Sequence, residues 1–232
     1  MTAAGVKKPK RSTTLEQAYN AILESICNGD IPPGAPLRLQ ELSTTLGMSM
    51  MPIREALRQL EAIGVIEITP HKGARVREIS TDDLIDTYRT RITLEGILCS
   101  RAAESFDADD EAAAREALER QRIALEDGDI IEARIAHKDF HYAIYRAAGS
   151  VWMLRSIDPT WLNSERYRVT SEQDGDQLTL RREEHERMLA ACVAHRPEQA
   201  RQALRTHLIS TVAHLDKNLA KRLDILTAGA CC

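Results

Sequence analysis

The stretch PLRLQELSTTLGMSMMPIREALRQLEAIGVIEITPHKGARV, residues 36–76, decides the fold of the N-terminal third. A short run with apolar residues at helical spacing covers Leu39–Leu46 and ends at Gly47. Ser49 then stands where it can cap a second helix, and Pro52 falls in that helix's first turn, where a missing N–H costs nothing. The second helix runs to about Ile63 and stops at Gly64. Val65–Thr69 alternates and is rich in β-branched residues, Pro70-His71-Lys72-Gly73 makes a turn, and Ala74–Arg77 returns as a second strand. Helix, turn, helix and a two-stranded hairpin, in that order, make a winged helix-turn-helix. Such a module places its second helix in the major groove of DNA.

Upstream, Leu15, Ala18, Tyr19, Ile22, Leu23 and Ile26 recur at 3–4 spacing, so an amphipathic helix starts at Thr14 and stops at Asn28-Gly29. GDIPPGAP, residues 29–36, is a rigid turn. Residues 1–13 read as a disordered basic arm. The DNA-binding domain is therefore expected over 14–79.

Downstream of Ser80 the sequence predicts no strand. Helices are expected over 80–104, 108–127, 129–148, 150–171, 174–195 and 197–222, with breaks at Asp107, Gly128, Gly149-Ser150, Gly175 and Arg196-Pro197. About six helices with short connections make an all-α antiparallel bundle over 80–224, followed by a tail over 225–232. The expected fold class is thus mostly α, a winged helix-turn-helix joined to a helical bundle.

Composition agrees. The 232 residues are 43% apolar but only 4% aromatic, and Ala, Leu and Ile dominate. No apolar run approaches the length of a membrane span, and no apolar stretch follows the basic N-terminus, which excludes a signal peptide. The five cysteines are scattered and lack CxxC spacing, which suits a reducing cytoplasm and no disulfide framework. The net charge of −4 divides into about +2 over residues 1–79 and −6 over the rest. A mildly basic head on an acidic body is what a DNA-binding unit on a body that avoids DNA shows.

Within the head, Arg54 is the leading candidate for reading a base, because a guanidinium can take guanine O6 and N7 together. Arg58, one turn on, suits a phosphate. Gln40, Thr44, Thr45 and Ser49 are short polar groups suited to backbone contacts. Met50 and Met51 precede Arg54, and methionine can press on a thymine methyl or a sugar but cannot read guanine. His71 and Lys72 at the wing tip can reach the minor groove, with Gly73 allowing the turn.

Four of the seven histidines form a pattern. His137 and His141 are i, i+4 and share a helix face. His185 lies 11 residues before Arg196 and His207 lies 10 after Pro197, so a hairpin folded at Arg196-Pro197 sets them side by side. Two histidines on one helix and one on each of two paired helices can build a metal site inside a bundle, and imidazole suits Zn, Cu, Fe or Ni. His214 is a rival to His207, and His195 at the corner reads as exposed.

Residues 14–79 resemble the N-terminal domain of GntR-family transcriptional regulators. The matching residues are Gly29-Asp30-Ile31-Pro32-Pro33-Gly34, Leu37, Glu41-Leu42, Leu46-Gly47-Met48-Ser49, Pro52-Ile53-Arg54-Glu55-Ala56-Leu57, Leu60-Glu61, Gly64 and Gly73. The family usually carries Arg where this chain has Met50, which moves the load of DNA reading toward Arg54. The body, from about Ser80 to Leu223, resembles the FCD domain of the FadR-type branch, and six helices suggest its shorter, VanR-like version. The markers are Arg91-Ile92-Thr93-Leu94-Glu95, Phe140-His141, Ala147-Ala148-Gly149, Glu184-His185, Ala200 and His207-Leu208.

The resemblance implies a metal, with zinc the leading choice, held by residues matching His141, His185 and His207. The family's usual Asp, four residues before the first His, is His137 here. Either His137 is a fourth ligand or water completes the shell. Asp139 cannot substitute, since i−2 points it about 200° around the helix. The resemblance further implies a pocket for a small organic acid, with Arg91 as a carboxylate fork and Arg166 and Arg168 as further candidates. The expected protein is a homodimeric, metal-containing, acid-responsive regulator, a repressor of a catabolic operon, bound to a pseudo-palindromic operator. Two alternatives are a constitutive DNA-binding dimer with a structural metal and a histidine-site metalloenzyme. Against the enzyme, four protein ligands leave less room for a catalytic water than the usual three, and no HExxH is present.

Overall fold

The computed structural model describes residues 13–168 and 175–228, with the side chains of 168 and 175–180 outside that description. The expected basic arm, Thr13 apart, lies outside the described residues. The chain divides into two compact units, Met1–Ile79 and Ser80–Cys232.

In the first unit α1 (Thr14–Cys27) begins with a reciprocal cap. Glu16 N–H donates to Thr13 Oγ1 at 3.1 Å and Thr13 N–H donates to the Glu16 carboxylate at 2.7 Å. Its apolar stripe buries Ala18, Ile22 and Ile26. Then come β1 (Pro36–Leu37), α2 (Leu39–Leu46), α3 (Met50–Ala62), β2 (Ile66–Thr69) and β3 (Gly73–Val76). Gly47, at φ 62°, ends α2 in the left-handed conformation. The turn into α3 is locked at Ser43, whose Oγ donates to Met48 O at 2.6 Å while its carbonyl accepts from Met48 N–H at 3.2 Å. Ser49 holds the N-cap position of α3 but makes no capping bond with its side chain, contrary to expectation. Ile53, Ala56, Leu57 and Leu60 bury the inner face of α3 against α1 and the sheet. Each larger side chain there contributes about 1.5–3 kcal/mol.

The wing is a three-stranded antiparallel sheet in the order β1-β3-β2, not a two-stranded hairpin. Gly34, at φ 77°, turns the chain so that its N–H reaches Val76 O at 3.0 Å and Val76 N–H reaches Ala35 O at 2.9 Å. A strand of two residues has no alternation for a sequence reading to detect.

The second unit is helical throughout its described residues: α4 (Thr81–Ser105), α5 (Ala108–Glu126), α6 (Ile130–Ala147), α7 (Val151–Arg168), α8 (Gly175–Val193), α9 (Pro197–Leu215) and α10 (Lys217–Ala228). The starts follow side-chain caps at Ser80, Asp107 and Asp129, and Pro197 opens α9. α4 is the central element and packs on α6, α7, α8, α9 and α10, burying Tyr88, Leu98, Cys99, Ala102 and Ala103. Seven helices replace the six expected. The helix predicted over 197–222 breaks at Asp216, whose backbone is extended. The Asp216 carboxylate accepts from Asn218 N–H at 2.7 Å and Leu219 N–H at 3.2 Å, starting α10 afresh. Residues 225–228, expected in the tail, belong to α10, with Thr227 buried and donating to Leu223 O at 2.8 Å.

Candidate functional site

The proposed DNA contacts of the first unit lie on its surface. Gln40, Thr44 and Thr45 on α2, Ser49, Met50, Met51, Arg54 and Arg58 at α3, and His71, Lys72 and Gly73 at the wing turn are all exposed. Met51 is 81% exposed at the start of α3. Arg58 sits 3.7 Å from Glu55, an exposed pair too weak to hold it from a phosphate. The Thr44 hydroxyl already donates to Gln40 O at 3.0 Å, so its proton serves the helix. At the wing tip Lys72 N–H closes a turn on Thr69 O at 3.0 Å, with His71 at φ 63°. A non-glycine residue there carries about 1–2 kcal/mol of strain.

In the second unit α6 supplies His137 and His141, α8 supplies His185 and α9 supplies His207. The stripe Ala133, Ala136, His137, Phe140, His141, Ile144 points inward because i, i+3 and i, i+4 share a face. All four imidazoles are buried, none more than 6% exposed. His185 and His207 do face each other across the α8–α9 pair, with ring centroids 4.6 Å apart. One ring nitrogen from each of the four lies within 4.8 Å of the others. Four nitrogens sharing one ion tetrahedrally at 2.0–2.1 Å lie about 3.3–3.4 Å apart, so the rings would draw inward by roughly 1 Å or more to hold one. An all-nitrogen set of this size suits a transition ion rather than calcium or magnesium, which take oxygen.

A shell of partners surrounds the cluster. His207 Nδ1 is 2.9 Å from Glu184 Oε2, and His141 Nδ1 is 3.1 Å from Tyr145 Oη. Tyr145 donates to Glu95 Oε2 at 2.7 Å. Arg91 grips Glu95 at 2.7 and 3.1 Å and donates its remaining Nη1 to Ser164 Oγ at 2.8 Å. Burial pushes the Tyr145 hydroxyl well above the usual phenol range, helped by the Glu95 charge. Burial also raises Glu184, against hydrogen bonding from Ser210 and the charges of His185, Arg187 and Arg181, which lower it. Trp161 of α7 packs on His137 and His141 at 5.5 and 5.1 Å, and the Arg91 guanidinium lies 4.4 Å from its ring centre.

Beside His137 and His207 is a cavity of about 10 Å³, the space of one water, lined also by Arg91, Arg181, Leu208 and Thr211. Arg91, predicted as a fork for a ligand, thus reaches the cavity but has its fork on Glu95. Arg166 is buried and donates to Asn163 Oδ1 at 2.8 Å, and it does not line this cavity. The side chain of Arg168 lies outside the described residues. His214 is bound to Ser210 O at 2.6 Å, His195 is exposed with Nδ1 3.0 Å from Ala103 O, and neither joins the cluster. Asp139 turns away to Arg120 at 2.9 Å. Sequence reasoning missed Arg181, which is buried here. Its spacing of four before His185 was the available signal. Tyr145, four residues after His141, carried the same signal, whereas nothing in the spacing pointed to Glu184 as a partner of His207. No described helix is long and apolar enough to cross a membrane.

Comparison with known proteins agrees with both units. Residues 14–76 match the model of the bacterial regulatory proteins of the gntR family, and residues 86–210 match the FCD domain. A protein described as a "probable D-xylose utilization operon transcriptional repressor" from Paenarthrobacter nicotinovorans is 33% identical over 87% of this chain and 88% of its own. The transcriptional repressor GlaR of Escherichia coli is 25% identical over 87% of this chain and 96% of its own. The structure of Escherichia coli McbR/YncC superposes with a TM-score of 0.78 at 26% identity, over 90% of this chain and 99% of that one. These relatives are regulators and not enzymes. The chain belongs to the GntR family of DNA-binding transcriptional regulators, in the FadR-type branch whose C-terminal domain is an FCD domain.

Proposed function

We propose that this regulator is a cytoplasmic repressor that binds a pseudo-palindromic operator as a homodimer and answers to a small organic acid at a metal held by His137, His141, His185 and His207. The observation that carries the reading is the convergence of four buried imidazoles from three helices beside a cavity that two guanidinium groups line. When bound, a divalent ion, zinc first and Ni, Fe or Cu as alternatives, supplies a Lewis-acidic centre to which a carboxylate can bind. Four neutral imidazoles leave the ion's +2 charge intact, which favours an anion. Arg91, with its fork on Glu95, and Arg181 are the two guanidiniums that line the cavity, and Arg166 and Arg168 stand further down the order. Dimerisation presents two copies of α3 to two half-sites about one helical turn apart.

Gel-shift titration on the operator upstream of the gene, with metal-loaded and chelated protein and a panel of small carboxylates, tests this. One acid should weaken binding at least tenfold, and only when the metal is present. Operator affinity indifferent to every acid and to chelation would sink the sensor reading. The one-water size of the cavity favours a second reading, a structural metal in a body that only dimerises. Metal-dependent folding with no acid response distinguishes it.

A further inference from the structure

The Arg91–Glu95 run and the Glu184-His185 pair are sequence markers to which the metal reading gives no chemical part beyond His185. Their hydrogen bonds assign one. Arg91 is always protonated, and it is 3% exposed with both Nε and Nη2 on Glu95, which is fully buried. A guanidinium so enclosed requires its partner to be the carboxylate anion, which can only accept. Tyr145 has one proton and must give it to Glu95 at 2.7 Å. The Tyr145 oxygen, 3.1 Å from His141 Nδ1, is then an acceptor, so Nδ1 of His141 carries the hydrogen. A neutral imidazole with Nδ1–H has its lone pair on Nε2. Glu184, from the neighbouring helix, stands in the same relation to His207: its Oε2 lies 2.9 Å from His207 Nδ1, and as the carboxylate, the form that the nearby Arg181 and Arg187 favour, it takes the Nδ1 hydrogen, while its chain neighbour His185 belongs to the cluster itself.

We infer that Tyr145, backed by Glu95 and Arg91, and Glu184 are positioning residues that fix His141 and His207 as Nε2 donors to the ion. Arg91 on this view acts through Glu95 and Tyr145 rather than as the effector's fork. The inference rests on the proposal that the cluster holds a metal. Outer partners of this kind typically govern metal affinity by about 10–100-fold, because they hold both the tautomer and the ring plane.

The test uses the full chain and zinc alone, titrated in competition with a chromophoric chelator, with bound metal counted by mass spectrometry. Tyr145→Phe and Glu184→Gln should each weaken zinc about 10–100-fold at unchanged stoichiometry. Tyr142→Phe, one turn before Tyr145 and bonded outward to Asp158, should stay within twofold of the parent. Cobalt(II) spectra should shift in the first two variants and not in the third, a change that mere loss of packing does not produce. Glu95→Gln strands a buried guanidinium and is expected to misfold, so Tyr145→Phe decides. Zinc affinity in Tyr145→Phe and Glu184→Gln within twofold of the parent overturns the relay and leaves the metal site standing. A parent protein that binds no zinc, nickel or iron(II) overturns both.

Discussion

Of the proposed DNA contacts on α3, Arg54 offers a directional group and Met51 a featureless one. Both project from the first two turns of α3, and both are exposed. The arginine can discriminate a base pair, whereas the methionine contributes contact area without a hydrogen-bond code. Arg54→Ala should therefore cost about 1–3 kcal/mol on the operator, with less loss on unrelated DNA, so the specificity ratio falls. Fluorescence anisotropy at one fixed salt concentration measures both affinities. An equal loss on both DNAs would reassign Arg54 to a phosphate. His71 belongs to the same scale: its left-handed backbone costs energy in the free protein, and such strain is retained where a side chain is needed in place.

Helix α7 works at the scale of an element. One face of its C-terminal half carries Trp161 and Ser164 against the histidines and Arg91, and another carries Asn163 and Tyr167 against the start of α4. Tyr167 donates to Asp83 Oδ2 at 2.6 Å and accepts from Ser80 N–H at 3.4 Å, while the Ser80 carbonyl at 3.2 Å competes for the same proton. Burial and the Asp83 carboxylate hold the Tyr167 hydroxyl above the usual phenol range, so it remains a donor throughout neutral pH. Tyr167→Phe should lower the stability of the body by about 1–3 kcal/mol, since it leaves Asp83 with one partner fewer. Urea denaturation followed by helical circular dichroism reads this, and an unchanged midpoint would show the contact to be idle. Much at this scale was legible in the sequence. The periodicity of α1 and the glycine after α2 mark their elements directly, and so does the proline at the start of α9. The pairing of His185 with His207 followed from counting residues from Pro197. What escaped were features without a local signal. β1 owes its pairing to a turn at Gly34 and a strand forty residues on. The break at Asp216 has no glycine or proline, and the apolar stripe runs straight through it. Glu184 serves a histidine on another helix, which no spacing within α8 can reveal.

At the scale of the whole molecule, head and body are separate compact units, and the proposed metal belongs to one of them. An ion in excess at 100 times its dissociation constant adds about 2.7 kcal/mol to the unit that binds it. For a body of this length that corresponds to a rise of roughly 5–10 °C in its melting temperature. Differential scanning calorimetry with and without zinc should show that rise in the transition of the body and none in that of the head. A uniform shift, or no shift, would contradict the assignment of the ion to the α6–α8–α9 cluster. The depth of that cluster has one more consequence. None of the four imidazoles is more than 6% exposed, and they come from three helices. An ion held by side chains so deeply buried would leave slowly, through local opening of the helices that carry them rather than by simple dissociation. Its residence is therefore set by the breathing of the protein and not by the concentration of metal outside. If the cluster holds the proposed ion, that ion would exchange slowly, and any small acid that binds it would have to enter through the same opening of the bundle.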